Sequence, residues 1–226
     1  VILPNLSRYI KTKNNNKINF IQNKSFELCL FLSLPASMAL IVGSEQITSA
    51  LFGYGSFDIL SVRNSSDALF YFALGLPAFA LIKVFSSFIF ARHNTRIPFI
   101  YSVYSVIINI SISLYFFSDI GFIIIPIATT ISSWFNAIIL FFYLIKKKYF
   151  AIISISYLIL IKILFSSILT SFLFYNLLNY FSDFLVYESK YKLLTIITIV
   201  AITFLIYMLI SIFTKAFKTS DIKIRY

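Results

Sequence analysis

From Ala68 to Phe90 the chain is apolar apart from Lys83 and the proline Pro77. It then passes through a doubly basic turn, Arg92 to Arg96, and Pro98 opens a second apolar run that reaches Phe117. An α-helix of about 20 residues spans the ~30 Å hydrocarbon core of a bilayer, which is the length of each run. Lipid offers the backbone no hydrogen-bond partners, so a crossing segment must satisfy its own amides, as a helix does. A chain with this passage crosses a membrane and turns back within a few residues.

The pattern repeats. Further apolar runs lie at Phe26–Gly43, Phe122–Ile145, within Ile152–Leu178, and at Leu193–Phe213. Of all residues 60% are hydrophobic and 12% charged, whereas soluble domains are nearer half apolar and a quarter charged. The sequence predicts an all-α, polytopic transmembrane helix bundle of about six spans, packed as one body with no internal repeat. Phe, at 27 residues, and Tyr, at 15, are abundant. With the Ile, Lys and Asn content they read as compositional drift.

Charge placement tests the span assignment. Cations gather in residues 1–25 (Arg8, Lys11, Lys13, Lys17, Lys24), in the turn after the second span, at Lys146–Lys148, and in the tail at Lys215, Lys218, Lys223 and Arg225. Acids hold the other connections: Glu45, Asp58 and Asp67, then Asp119, then Asp183 and Glu188, with Lys190 and Lys192 as the exceptions. Alternation of this kind places both ends in the cytoplasm. The net charge of +11 is therefore loop bias rather than a nucleic-acid footprint. Residues 1–25 read as a polar, basic loop that is solvated or rests on anionic headgroups. In the connection from Ser44 to Asp67, Gly53-Tyr54-Gly55 has turn chemistry, and Leu51, Phe52, Phe57 and Leu60 suit the interface. No cleavable leader is visible, and Val1-Ile2-Leu3-Pro4 reads as a continuation, so a fragment or the downstream piece of an interrupted gene is expected.

Catalytic raw material is scarce. Cys29 and His93 are the single Cys and His, which excludes an intrachain disulfide, a multi-Cys metal site and a His-based triad. No HExxH, GxSxG or phosphate-cradling glycine loop occurs, so no enzyme, metal or cofactor is expected. The spans hold two ionisable groups, Lys83 and Lys162. Each either snorkels to the headgroups or faces a polar cavity where it meets an anionic substrate. Polar neutral side chains are commoner: Asn109 with Ser111 and Ser113, then Thr129, Ser132, Ser133 and Asn136. The last four follow i, i+3, i+4, i+7 spacing and form one helical stripe, suited either to helix–helix hydrogen bonding or to substrate contact. Arg92 and Arg96 flank His93-Asn94-Thr95, where the default role is topology and the alternative is attraction of phosphate.

Several of these stretches resemble one family. Leu51-Phe52, Gly55 and Phe57, then Tyr71 with Gly75-Leu76-Pro77, Lys83, and Phe90-Ala91-Arg92-His93-Asn94-Thr95-Arg96-Ile97-Pro98 are similar to the C-terminal half of the MurJ/MviN lipid II flippases. The opening Leu3-Pro4, with Leu6-Ser7, is similar to the segment that follows the eighth span there. In the basic turn Phe90, His93 and Asn94 stand where the family has Tyr, Gln and Asp. The resemblance covers essentially the whole chain and is strongest from 44 to 148.

What the resemblance implies is the C-terminal lobe of a flippase-like fold, corresponding to the last six of fourteen helices. Residues 1–150 would be a lobe segment of basic loop and four helices, and 151–226 two further helices and a basic tail. The implied activity is transport without covalent chemistry: undecaprenyl-pyrophosphate-linked lipid II moves across the bacterial inner membrane by alternating access. Partners would be membrane lipids, lipid II and the missing N-terminal half, with no nucleic acid. Cavity candidates are Lys83, Asn109, Thr129, Ser132, Ser133, Asn136 and Lys162, and the cytoplasmic-turn motif is Arg92, Asn94, Thr95, Arg96 and Pro98. Alone, the chain lacks one wall of the cavity and is expected to be incomplete. The alternatives are another polysaccharide-lipid flippase or a multidrug antiporter of the same superfamily, or a scaffold or remnant of a split gene. An antiporter needs a carboxylate in the bundle, and the spans are read as offering none.

Overall fold

A computed structural model describes residues Ile2–Ala216, which are helical apart from short connections. In order come α1 (Ile2–Lys11), α2 (Asn15–Val42), α3 (Ser44–Phe52), α4 (Ile59–Phe90), α5 (Arg96–Ile120), a 3-10 turn (Gly121–Ile123), α6 (Ile124–Lys146), α7 (Ser154–Tyr180), α8 (Ser182–Leu185) and α9 (Lys192–Phe213). Among the described residues five helical segments are long and apolar enough to cross a membrane, with Arg96–Lys146 counted as one. Within that segment α5 and α6 are two helices of 25 and 23 residues. Val1, Lys218, Lys223 and Arg225 lie outside the described residues.

Two stretches expected to be connections are helical. Residues 2–25, expected to belong to a loop, are mostly helical: α1 buries Leu6 completely, and α2 begins eleven residues before the first expected span. The cause is local. Asn14 accepts a hydrogen bond from the Lys17 amide through Oδ1 at 3.1 Å, which caps three residues into the helix as N-caps do. Asp58 does the same for α4, taking the Ser61 amide at 2.8 Å, so α4 starts nine residues before Ala68. Its carboxyl, held by the Ser61 side chain and amide, lies below the ordinary value of 3.8.

The described helices pack as two compact units that are not contiguous in sequence: residues 2–33 with 75–158, and residues 34–74 with 159–216. In the first, a cluster of aromatic rings forms around Phe150. Phe26, Phe88 and Phe141 lie with centroids 5.7, 5.5 and 6.3 Å from it, and Phe85 stacks on Phe26 at 5.8 Å. Part of the Phe content that read as drift is therefore core. Gly75 of α4 faces Thr130 of α6 so closely that a Cβ would meet the Thr130 hydroxyl at 2.8 Å, so a larger residue here requires that side chain to shift.

In the second unit Ala50 of α3 packs with Phe174 and Leu178 of α7, Leu185 of α8, and Ile196 and Ile199 of α9. Pro77 deprives the Ala73 carbonyl of its helical donor, since proline has no N–H. Ser37 of α2 supplies the replacement: its hydroxyl donates to Ala73 O at 2.6 Å, buried. Neighbouring helices commonly rescue a membrane proline in this manner. Large apolar side chains such as Leu114, Tyr115 and Phe172 remain exposed on the helix flanks, as a lipid-facing surface requires.

Candidate functional site

The α5–α6 pair turns back on itself, and its partners show the antiparallel register. Ser105 Oγ donates to Ser132 O at 2.7 Å. One turn on, Asn109 Nδ2 reaches Thr129 Oγ1 at 3.0 Å and Ser132 Oγ at 3.3 Å. Asn136 Nδ2 lies 3.5 Å from Ser102 Oγ. The stripe from Thr129 to Asn136 is thus a polar seam between two helices. Ser132 and Ser133 hydroxyls fall back on Thr129 O at 3.0 and 2.6 Å. In lipid the bonds that run from α5 to α6 hold the two helices together, at about 0.6–2 kcal/mol each. Not every valence is used: Asn136 Oδ1 and Ser113 Oγ are buried without partners.

The basic turn is built differently from its default reading. Arg92 points inward, half-buried, and its fork spans two helix ends. Nη1 donates to Phe88 O at 2.6 Å and Nη2 to Tyr149 O at 2.8 Å, while the guanidinium lies 4.4 Å from the Tyr149 ring centroid. It closes the last turn of α4 and pins the segment after α6, where uncapped carbonyls need donors. Burial pushes the guanidinium below its ordinary value; the group remains cationic at neutral pH. Asn94 Oδ1 accepts the Ile97 amide at 3.2 Å, and its Nδ2 lies 3.4 Å from the Tyr143 hydroxyl. Thr95 and Arg96 are exposed, so Arg96 is the free cation of the motif. Pro98 is buried in the first turn of α5, where its missing N–H has no intrahelical acceptor.

Lys83 is exposed on α4 and Lys162 half-buried on α7; they belong to different units. Of the cavity candidates, Asn109, Thr129, Ser132, Ser133 and Asn136 come together, and Lys83 is not among the hydrogen-bond partners of that seam.

Two charged side chains escaped the sequence reading. Glu27 lies inside α2 at 5% exposure; the spans therefore do contain a carboxylate. Ser156 Oγ donates to Glu27 Oε1 at 2.5 Å, and Lys24 Nζ is 3.3 Å from Oε2. Beside it Asn23 brackets the segment entering α7, donating to Ala151 O at 2.9 Å and accepting from the Ile153 amide at 3.1 Å. The Lys24-to-Glu27 spacing on one helix face was the available signal.

The second is Lys192, one of the two cations that broke the charge alternation. It is 1% exposed. Its ammonium donates to Gly53 O and Tyr187 O, each at 2.6 Å, and sits 4.3 and 4.5 Å from the Tyr54 and Tyr187 ring centroids. Tyr187 in turn donates its hydroxyl to Phe57 O at 2.7 Å. Carbonyl dipoles and ring faces replace water around the charge. A Cβ at Gly53 would lie 3.2 Å from this nitrogen and 2.6 Å from Ser49 O, so the position is restricted to glycine.

The sequence profile described as lipid II flippase MurJ matches residues 1–225. A probable lipid II flippase MurJ of Rhizobium meliloti is 42% identical over 62% of this chain and 26% of its own length. That of Rickettsia prowazekii is 31% identical over 87% of this chain and 38% of its own. A solved lipid II flippase MurJ, in an inward closed conformation, superposes with a TM-score of 0.72 at 25% identity, covering 95% of this chain and 43% of that one. The chain thus spans between a quarter and about two fifths of the length of these proteins. Its helical fold, its apolar segments and the match along its length agree, and the chain belongs to the lipid II flippase MurJ family.

Proposed function

We propose that this chain forms the C-terminal lobe of a transporter that moves lipid II from the inner to the outer leaflet of the bacterial inner membrane. The observation that carries the reading is the family match along residues 1–225. In this reading the bundle crosses the membrane six times with both ends in the cytoplasm, α5 and α6 each crossing once. Residues 1–150 act as a lobe segment and 151–226 as an added helix pair. The work is translocation, with no covalent step: a pyrophosphate-sugar headgroup needs a polar path because bare hydrocarbon is prohibitive to it. The α5–α6 seam, with Asn136 Oδ1 and Ser113 Oγ still unpaired, supplies polar atoms for such a path. In the first unit Lys83 and Arg96 are exposed cations open to a pyrophosphate, and in the second Lys162 is a half-buried one.

The relatives are longer than this chain, and the lobe is proposed to act with an N-terminal portion that closes the cavity. Glu27 removes the argument that no carboxylate exists to couple a cation, but its two oxygens are occupied by Ser156 and Lys24. The family match supports the flippase over the antiporter. The test is rescue of a flippase-depleted strain. Co-expression with the N-terminal portion of a family member is expected to restore growth and lipid II exposure on the outer leaflet. The chain alone is expected to restore neither, and robust rescue by it alone would overturn the two-part reading.

A further inference from the structure

A cavity of about 250 Å³ lies in the second unit, between α3 on one side and the α7–α8 corner on the other. Its polar lining is Glu45, Gln46, Ser49, Asn179, Ser182 and Tyr187, set among apolar side chains of α4, α7 and α8. Ser49 is 7% exposed, and its hydroxyl is buried without a hydrogen-bond partner. A buried hydroxyl in that state is open to a hydrogen-bond partner from outside the chain. Glu45 is the one charged residue of the lining. It forms no ion pair among the described residues, and the buried ammonium of Lys192 is already committed to the Gly53 and Tyr187 carbonyls.

Size and charge narrow the occupant. The space is much larger than a bare monovalent ion and falls just below the ~300–1,000 Å³ of sites for drug-sized molecules. A carboxylate with no cation beside it, together with hydroxyl and amide oxygens, selects a positively charged donor of hydrogen bonds. We propose that this cavity binds a small organic ammonium compound, with Glu45 as its charge partner and the Ser49 hydroxyl among its acceptors. The proposal does not depend on what the lobe transports.

The experiment measures equilibrium binding of radiolabelled L-lysine to the full chain in lipid nanodiscs, with D-glucose and succinate as neutral and anionic comparators. Lysine is expected to saturate at one site per chain while the comparators do not. Glu45→Gln, at an exposed position, is expected to weaken binding at least tenfold without altering thermal unfolding. Ser49→Ala is expected to weaken it about threefold, and Asp119→Asn, which removes an acid of the other unit, to leave it unchanged. Failure of lysine to saturate overturns the proposal, as does equal binding of glucose or succinate. An unchanged affinity in Glu45→Gln, or an equal loss in Asp119→Asn, overturns it too, because the attraction would then be diffuse surface charge.

Discussion

Replacing Arg92 with lysine separates a structural clamp from a topological charge, because it keeps the cation and removes the fork. The guanidinium serves two carbonyls 2.6 and 2.8 Å away on different segments and stacks on Tyr149. A lysine ammonium is a point donor on a flexible stem and can keep one of the two. A hydrogen bond to a charged group contributes about 1.5–3 kcal/mol, and half-exposure argues for the lower end. The weaker stacking of an ammonium removes about 0.5 kcal/mol more. Arg92→Lys should therefore cost about 2 kcal/mol, roughly a 30-fold shift in the unfolding equilibrium. Arg92→Ala loses both bonds and the stack and should cost about 3.5 kcal/mol. Trp134, the single tryptophan, lies on α6. Its fluorescence during titration of micelle-embedded protein with a denaturing detergent reports the transition. An Arg92→Lys variant within 0.5 kcal/mol of the parent refutes the clamp and returns Arg92 to the role of a loop charge.

Three further substitutions probe the other polar joints. Ser37→Ala strands the carbonyl that Pro77 leaves open at Ala73 and should cost about 1–2 kcal/mol in the same titration, whereas Ser37→Ala combined with Pro77→Ala should recover most of the loss. Lys192→Met leaves the Gly53 and Tyr187 carbonyls without their donor and should lower stability by about 3 kcal/mol, read as a fall in thermal midpoint. Asp58, whose carboxyl is held below 3.8, stabilises the start of α4 at any pH above that ordinary value. The contribution is lost as pH falls through the lower folded-state value. The protection of the Ser61 amide, taken relative to the intrinsic exchange rate at each pH, should therefore fall at acid pH in the parent and show no such pH step in Asp58→Ala.

Hydropathy made the long helices legible because lipid imposes one solution on the backbone whatever the side chains are. Helix beginnings were not legible from the same signal. Asn14 and Asp58 start helices in polar sequence, where a single side-chain oxygen decides and hydropathy is silent. The seam on α6 could be read from spacing alone, since its four residues share a face. Its partner Asn109 was named, but the register that joins it to Thr129 depends on the turn at Gly121–Ile123. Arg92 and Lys192 were hidden for a different reason. Each acts on a carbonyl far away in the chain, 57 and 139 residues distant, and no local pattern announces such a partner. Glu27 was passed over because the run around it is apolar enough to absorb one charge.

The basic turn decides how much weight the remnant reading can bear. In that turn His93 and Asn94 stand where the family has Gln and Asp. His93 adopts a φ of +57°, in the left-handed region where His and Asn are enriched several-fold among non-glycine residues. Asn94 offers its Oδ1 to the Ile97 amide, which is what an aspartate would offer at that position, and its amide adds a donor beside the Tyr143 hydroxyl. Arg92 keeps both carbonyls, and Pro98 keeps its place in the first turn of α5. Two of the three departures from the family pattern thus fall at positions whose geometric demands the new residues meet. Loss of the aspartate changes the charge of the turn, leaving Arg96 exposed with no acid two residues away. Any functional consequence of Asn94 should therefore appear in attraction of an anionic headgroup rather than in stability. Asn94→Asp is expected to leave the unfolding transition in place and to weaken binding of anionic lipid vesicles; a change in stability above about 1 kcal/mol would show that the cap, not the charge, was altered.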